Sequence, residues 1–593
     1  TLPLSTPIPP PPIVYELAPP AEIDQREVPP RAAETLNLLM SATYPTRDYH
    51  ADEIRLANSK PRPRTVEAVS YVVGDVESFR TDRGEVMARL AAVNNRAYFW
   101  FDERVVYDEV LLAEAVRRLE DELYPAVTAL LGREWTPGMD NDPRLHILHL
   151  NQLDRPELGY FTSGDVYPQT IFTNSNEKEL LYLNMDLLTL GDELYYGTLI
   201  HELQHLIQWH QDSNEETWLD EGLAQLAEHV VGYETVIVDD YLIAPNIQLN
   251  SWNYAEDVLY THYSASALFM IYFWEQLGDT AVRELAAHPA NGMASVEAVL
   301  QKYRPETTLE AFMSEWYIAN FLSGRGEATI DTAAYSYDFP FRGVNHDLSV
   351  LAFPYSESEE LAPYGVRYVE LPEAGSYTLS FAADTTVDLF EGEAHSGSAV
   401  WLAPGMNNLS ATLTGAFDLT AVDTATLEFW VWYELEQDYD FFYVSVSTDG
   451  GQTWQVQAAA EWGVGYYGPA LSGQSGWVKQ AIPLDRYVGR EILIRFEVLT
   501  DSGVYKQGVA IDDIAIPELG YQMDVESGAE RWEGVGFVPA TTVVPQSWSV
   551  QLIYHGEGQR VERLVLDGRN QLMTTVEVAQ SATLVIAPVT PFT

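Results

Sequence analysis

The sequence predicts an α+β domain followed by all-β sandwich domains, one of them inserted into another. Three observations lead there. The chain has 593 residues, more than one core can serve, because single hydrophobic cores stop growing near ~250 to 300 residues. Residues 192–322 read almost wholly as helix, whereas everything after "YSYDFPFRG" breaks into short alternating strands separated by Gly, Asn and Asp turns. The strands before residue 391 and after residue 546 together make about seven, enough for one sandwich. The segment between them is then a second β domain, and such insertion is tolerated because domain ends often lie close together.

Taken in order, "TLPLSTPIPPPPIVYELAPP" is Pro-rich and predicts an extended arm. Residues 1–65 are expected to form that arm or the remnant of a propeptide. "VEAVSYVV" and "RAYFWF" alternate as strands do, and "YDEVLLAEAVRRLEDELYPAVTALLG" carries apolar residues at helical spacing and stops on Gly132. "RLHILHL" and "ELLYLNMDLL" read as further strands, with the turn-rich "GYFTSGDVYP" between them. These elements and the helices after them define a first domain at 66–345. A discontinuous β sandwich at 346–393 plus 527–593 follows, interrupted by an inserted β domain at 394–526.

Composition excludes several functions. With 88 acidic against 33 basic residues the formal charge is -55, a field that repels nucleic acid and attracts divalent cations. The absence of Cys removes disulfides and thiolate metal sites, so any metal ligand must be His, Asp or Glu. No run reaches the roughly 18 apolar residues of a membrane span. Thr1 in place of an initiating Met raises the expectation of a removed leader, and with the repeated-strand architecture it makes secretion the expected location.

The chemistry concentrates in "IHELQHLIQWH", residues 200–210. On a helix His201 and His205 lie about 40° apart, so both rings can reach one ion, while Glu202 is about 100° round and stands beside it, placed to take a proton from water. His210 is about 180° from His201 and points away. A third ligand six residues past His205 is also excluded, because Gln208 and Gln211 occupy the positions where a metzincin has its Gly and His. The next helix supplies carboxylates: in "TWLDEGLAQLAEHVVGY" Glu221, Gln225 and Glu228 fall in a wedge of about 60°, opposite Leu219, Leu223, Leu226 and Val230. A site made of two His from one helix and a Glu from the next is the simplest account of both stretches.

HELQH followed by "WLDEGLAQLAE" resembles the gluzincin metallopeptidases, closest to the hyicolysin type of secreted bacterial peptidase. The resemblance implies a zincin fold for the first domain, Zn2+ held by His201, His205 and Glu221, and Glu202 as general base. Fifteen residues separate His205 from Glu221, a shorter spacer than in the aminopeptidase branch, and that branch's GxMEN motif is missing; an endopeptidase acting on protein or peptide is therefore expected. Gluzincins commonly place a Tyr after the active-site helices to stabilise the oxyanion. In "YTHYSASALFMIYFWEQLG" similarity favours Tyr263, with Tyr260 and His262 as the alternatives.

The inserted segment has a resemblance of its own. "FDLTAVDTATLEFWVWYELEQDYDFFYVSVSTDGGQTW", ending at "VAIDDIAIPE", is similar to the MAM-like jelly-roll domain of immune inhibitor A type peptidases. Within it Asp438, Asp440, Asp512 and Asp513 are a candidate Ca2+ site, and "STDGGQTW" fits a single Asp-box hairpin. Two other functional readings stay open. One is an extracellular structural or adhesive protein on an inactive zincin scaffold, with the β domains serving surface or self-association. The other is a zymogen whose residues 1–65 inhibit the site.

Overall fold

The computed structural model describes residues 23–591 apart from 82–83, 152–156, 234–237, 256, 326–332, 528–530 and 557–558. Residues 1–22 of the expected arm lie outside the described residues. Two short helices come first, α1 (Ala32–Ser41) and α2 (Tyr49–Arg55), the latter capped by Asp48, whose side chain accepts from His50 and Ala51 N–H.

The α+β domain opens with strands β1 (Val76–Thr81), β2 (Gly84–Val93) and β3 (Ala97–Asp102). Helices α3 (Glu109–Arg118) and α4 (Tyr124–Leu131) are joined by a π-helical turn, Leu119–Leu123. Pro125 explains the turn: it has no N–H to continue the ladder, and Tyr124 N–H reaches back five residues to Leu119 O instead. Strands β4 (Leu145–Leu150), β5 (Gly159–Phe161) and β6 (Leu180–Asn184) complete a six-stranded sheet in the order β1-β2-β3-β4-β6-β5. Its centre is parallel, and β5 pairs antiparallel to β6 at the edge. "VEAVSYVV" is not a strand. Residues 66–73 form no ladder: Val66 N–H donates to Met139 O, Tyr71 packs edge-on against Tyr98 and Trp100 on the face of the sheet, and Val69, Val72 and Val73 are exposed.

Seven helices follow: α5 (Glu193–Gln211), α6 (Thr217–Val230), α7 (Asp239–Ile243), α8 (Leu259–Leu277), α9 (Asp279–Ala286), α10 (Gly292–Tyr303) and α11 (Leu309–Leu322). One core joins them to the inner face of the sheet, with Phe99, Ile147, Leu181, Leu203, Leu223, Phe269 and Trp316 all buried. The same core continues into Tyr368, Ile553 and Val585 of the β half. That face of the outer β unit is therefore not solvent-facing. Tyr368 Oη donates to Tyr317 O on α11, and Gln551 Nε2 donates to Ser314 O.

The outer β unit has a five-stranded sheet, containing Arg367–Leu371, Trp548–His555 and Ser581–Pro588, and a two-stranded ribbon of Gly375–Ala382 with Gln571–Val578. Between its halves lies the inserted unit, two packed antiparallel sheets that start at Ala399–Pro404. The insertion extends beyond 394–526. Trp532–Val535 pairs with Ser410–Asp418, and Val538–Thr541 pairs with Ala399–Pro404, so both belong to the inserted sheets; the waist is the two-stranded pair Thr386–Asp388 with Val543–Pro545. The sequence hides this because those strands are short and follow the turn-like "VESGAE". "STDGGQTW" forms a tight turn in which Asp449 accepts from the N–H groups of Gln452 and Thr453.

Residues 23–65 do not form a separate arm; they strap the inserted unit. Thr35 Oγ1 accepts from Thr541 N–H, Arg47 donates to Thr500 O and pairs with Asp52 at 3.0 Å, and Arg55 reaches buried Glu497. The strap also touches the helices, where Asn214 Nδ2 donates to Tyr44 O.

One close approach fixes α6. A Cβ on Gly222 would lie 2.7 Å from Met270 Cγ and 3.0 Å from Ser266 O, so glycine lets α6 settle onto α8. Gly222→Ala should cost about 1 to 3 kcal/mol through overpacking, read as a lower denaturation midpoint; an unchanged midpoint would show that α8 yields freely.

Candidate metal centre and cleft

The residues singled out on α5 and α6 meet. Leu219, Leu223 and Leu226 bury one side of α6, which turns its acidic side toward α5. His201 Nε2 lies 3.2 Å and His205 Nε2 3.7 Å from Glu221 Oε2, and the three donor atoms all sit within 4.8 Å of one another. Glu202 is buried beside this group and is not one of the converging donors; its stem passes under β5, where a Cβ on Gly159 would come within 3.1 Å of Glu202 Cγ. His210 is exposed, away from the group.

The wedge on α6 has a second use. Glu228 Oε1 is 2.8 Å from His201 Nδ1 and is held by Gln225 Nε2, while Asp220 Oδ2 is 3.1 Å from His205 Nδ1 and its Oδ1 accepts from Gln204 Nε2. A carboxylate at each Nδ1 favours the Nδ1–H tautomer and leaves the Nε2 lone pair facing Glu221. Burial opposes charge on both rings, yet the carboxylates outweigh it: Glu221 and Glu228 raise His201 well above the usual imidazole range, and Asp220 and Glu221 take His205 up to about 9. Burial also raises Glu202. Glu221 Oε2 is buried and, among the described residues, faces no group other than the two imidazole nitrogens. Two imidazole nitrogens converging on an orphaned carboxylate oxygen suit a zinc ion, whose ligands are N and O donors.

On α8, Tyr263 lies near the group: burial followed by the charges of Glu221 and Glu202 pushes its pKa upward. Tyr260 is 55% exposed. His262 is buried against Trp252, and burial lowers its pKa to about 4. The sequence reading missed Tyr254, which stands in the cleft wall near Glu221 and Asp220. It lies outside any regular element and so carried no periodic signal.

The four candidate calcium residues do not come together. Asp440 accepts from Asp501 N–H and lies near Glu436, and Asp438 follows Gln437 in that same loop. Asp512 and Asp513 instead meet His395 and Ser396. One pair sits in a turn of the inserted unit and the other within the strand Gly508–Ile516, and His395 is not the hard oxygen ligand that Ca2+ selects.

The metal-competent group opens on a cleft of about 330 Å³. Phe161, Thr162 and Ser163 after β5 form one wall, and α5, α6 and Tyr254 form the floor and far side. The remaining lining comes from the inserted unit: Asn407 donates to Thr217, Asn408 to Ser213, and Ser502 Oγ lies 3.0 Å from Ser163 Oγ. The inserted unit is thus docked on the cleft and is not an independent appendage. No residue of the strap lines it among the described residues.

The topology of the inserted unit, with its waist at 386–388 and 543–545, coincides with a family match. Residues 387–542 match the family model of the Immune inhibitor A-like MAM domain. The chain is also a homologue of named metalloproteases. It is 26% identical over 280 residues to neutral metalloprotease ShpI of Staphylococcus hyicus, covering 42% of this chain and 63% of that protein. Pre-pro-metalloprotease PrtV of Vibrio cholerae is 31% identical over 136 residues, 22% of this chain and 14% of its own length. Immune inhibitor A of Bacillus thuringiensis is 31% identical over 111 residues, 18% of this chain and 16% of its own length. The chain thus spans less than two thirds of each of these relatives. No helix among the described residues is long and apolar enough to cross a membrane.

The carboxylates behind the rings make a prediction. Glu228→Gln and Asp220→Asn should each weaken zinc binding by roughly 10- to 100-fold while leaving the fold intact, measured by competition with a coloured chelator. Unaltered affinity in both variants would mean that the rings are oriented by packing alone.

Proposed function

We propose that this chain is a secreted zinc-dependent endopeptidase of the gluzincin type. The observation that carries the reading is the convergence of His201, His205 and Glu221 on one point at the cleft floor, with Glu202 beside them. The homology to named metalloproteases supports it. His201, His205 and Glu221 would hold the zinc, which when bound supplies Lewis acidity toward the scissile carbonyl and the attacking water.

The protein groups do the rest. Strand β5 is the last strand of its sheet, paired on one side with β6, so its other edge offers backbone groups to an extended peptide laid along the cleft. Glu202, beneath β5, takes the proton from the attacking water and passes it to the leaving amine. Tyr263, near Glu221, donates to the oxygen on which negative charge develops. The MAM domain, contributing Asn407 and Ser502 to the cleft, helps to seat the substrate.

Glu202→Gln should retain stoichiometric zinc and lose roughly 10²-fold or more of peptide cleavage, read by metal analysis and a casein digest with and without chelator. Tyr263→Phe should lower kcat by about 10² to 10³ with little change in KM, and Tyr260→Phe is the control. Absence of both bound metal and cleavage would leave the adhesive or structural reading in its place, and full turnover in the Glu202 variant would remove Glu202 from the mechanism.

A further inference from the structure

Past His205 the cleft floor is built from acceptors. Gln208 Oε1, Asp212 Oδ2, Glu215 Oε2 and Asn407 Oδ1 all belong to cleft-lining residues, and each is buried without a hydrogen-bond partner. Gln208, Asp212 and Glu215 are only 3%, 6% and 6% exposed. The lining residues of this cleft include neither Lys nor Arg.

The acceptors are also held in place. Glu215 Oε1 accepts from Gly292 N–H and Glu216 N–H, both at 2.7 Å, which leaves Oε2 over. Gln208 donates its amide to Ala286 O and Asp212 O, and Asn407 donates to Thr217, so in both the carbonyl oxygen is left over. Burial raises both carboxyls, Asp212 to about 7 and Glu215 well above the carboxylate range, a cost that a cation in the recess would remove.

Two kinds of cation want several oxygens. Calcium gathers 6–8 of them about one point, but among the described residues Asp212 and Glu215 share no such point with a third carboxylate or His. A guanidinium is planar and presents five N–H donors in a fixed fork, which suits acceptors spread along a cleft wall better than the point charge of an ammonium does.

We propose that this recess receives the guanidinium of an arginine side chain of the peptide substrate, so that cleavage depends on an arginine at a fixed distance from the scissile bond. The assignment rests on the peptidase reading for its consequence, though the binding it requires can be measured without turnover.

Two peptides differing only in arginine against its neutral isostere citrulline provide the probe. Their binding to the Glu202→Gln variant of the full chain, loaded with zinc, is followed by fluorescence anisotropy, with a lysine peptide as third arm. The arginine peptide should bind roughly 10- to 100-fold more tightly than the citrulline peptide, and the lysine peptide should fall between them. Asp212→Asn with Glu215→Gln should erase that difference while zinc content stays stoichiometric.

Digestion of a mixed peptide pool by the wild-type chain should place arginine at one position relative to the cut. Equal affinity for the arginine and citrulline peptides overturns the proposal, whether or not the double variant folds. So does an arginine preference that survives in a folded double variant. Stoichiometric calcium that is bound by the wild type and lost from that variant would make the recess a metal site instead. If the pool is cut without arginine enrichment, the recess assignment fails and the peptidase reading stands. If nothing is cut yet arginine still binds, it is the peptidase reading that fails.

Discussion

Two imidazoles can share an ion only if each holds one ring nitrogen toward a common point, and in this chain the nitrogens turned to that point, Nε2 of His201 and of His205, are held from behind. Glu228 and Asp220 stand behind His201 and His205 at 2.8 and 3.1 Å, and both come from α6, the helix that also supplies Glu221. A small rotation or slide of α6 would therefore misplace one ligand and both orienting carboxylates together. The seat of α6 on α8, made possible by Gly222, matters for this reason more than for the stability it contributes. The glycine next to Glu221 is a packing requirement that lies one residue away from the chemistry.

Much of this was legible beforehand. The helical run from Asp192 to Leu322, the stop at Gly132 and the common face of His201 and His205 follow from periodicity and from the geometry of one helix. What stayed hidden depended on contacts distant in sequence. The stripe of Glu221, Gln225 and Glu228 was visible, but that Glu228 backs His201 while Glu221 faces the rings needs the two helices docked. Residues 66–73 alternate like a strand, yet a strand exists only where its backbone pairs with a neighbour, and this stretch instead lays Tyr71 on the face of the sheet against Tyr98 and Trp100. The four aspartates of the inserted unit looked like one group because each pair is close in sequence; the fold leaves one pair in a turn near Asp501 and the other in a strand beside His395.

The limits of the insertion failed for a related reason. Short strands after a turn-rich stretch are equally compatible with the inserted and the outer sheets by pattern alone, since both alternate with period two. Pairing of Trp532–Val535 and Val538–Thr541 inside the inserted sheets decides the matter. It also moves the waist to residues 386–388 and 543–545, close to the limits of the MAM family match.

The MAM domain's position on the cleft follows from how it is fastened. The strap of residues 23–65 crosses it with Arg47 and Asp52 almost wholly buried and with Arg55 on buried Glu497. Buried ion pairs of this kind add little net stability, because desolvation offsets most of the attraction, but a misaligned pair leaves a charge buried without its partner and is strongly disfavoured. Such a network selects one docking arrangement over its neighbours. The arrangement selected brings Asn407 and Ser502 to the cleft and joins the MAM domain to α5, α6 and the loop after β5 through single hydrogen bonds. Segments from near residues 50, 210, 410 and 500 thus depend on one another to shape one cleft. A chain whose acidic surface gives its parts a general tendency to repel one another needs such directed, buried contacts wherever its domains are to meet.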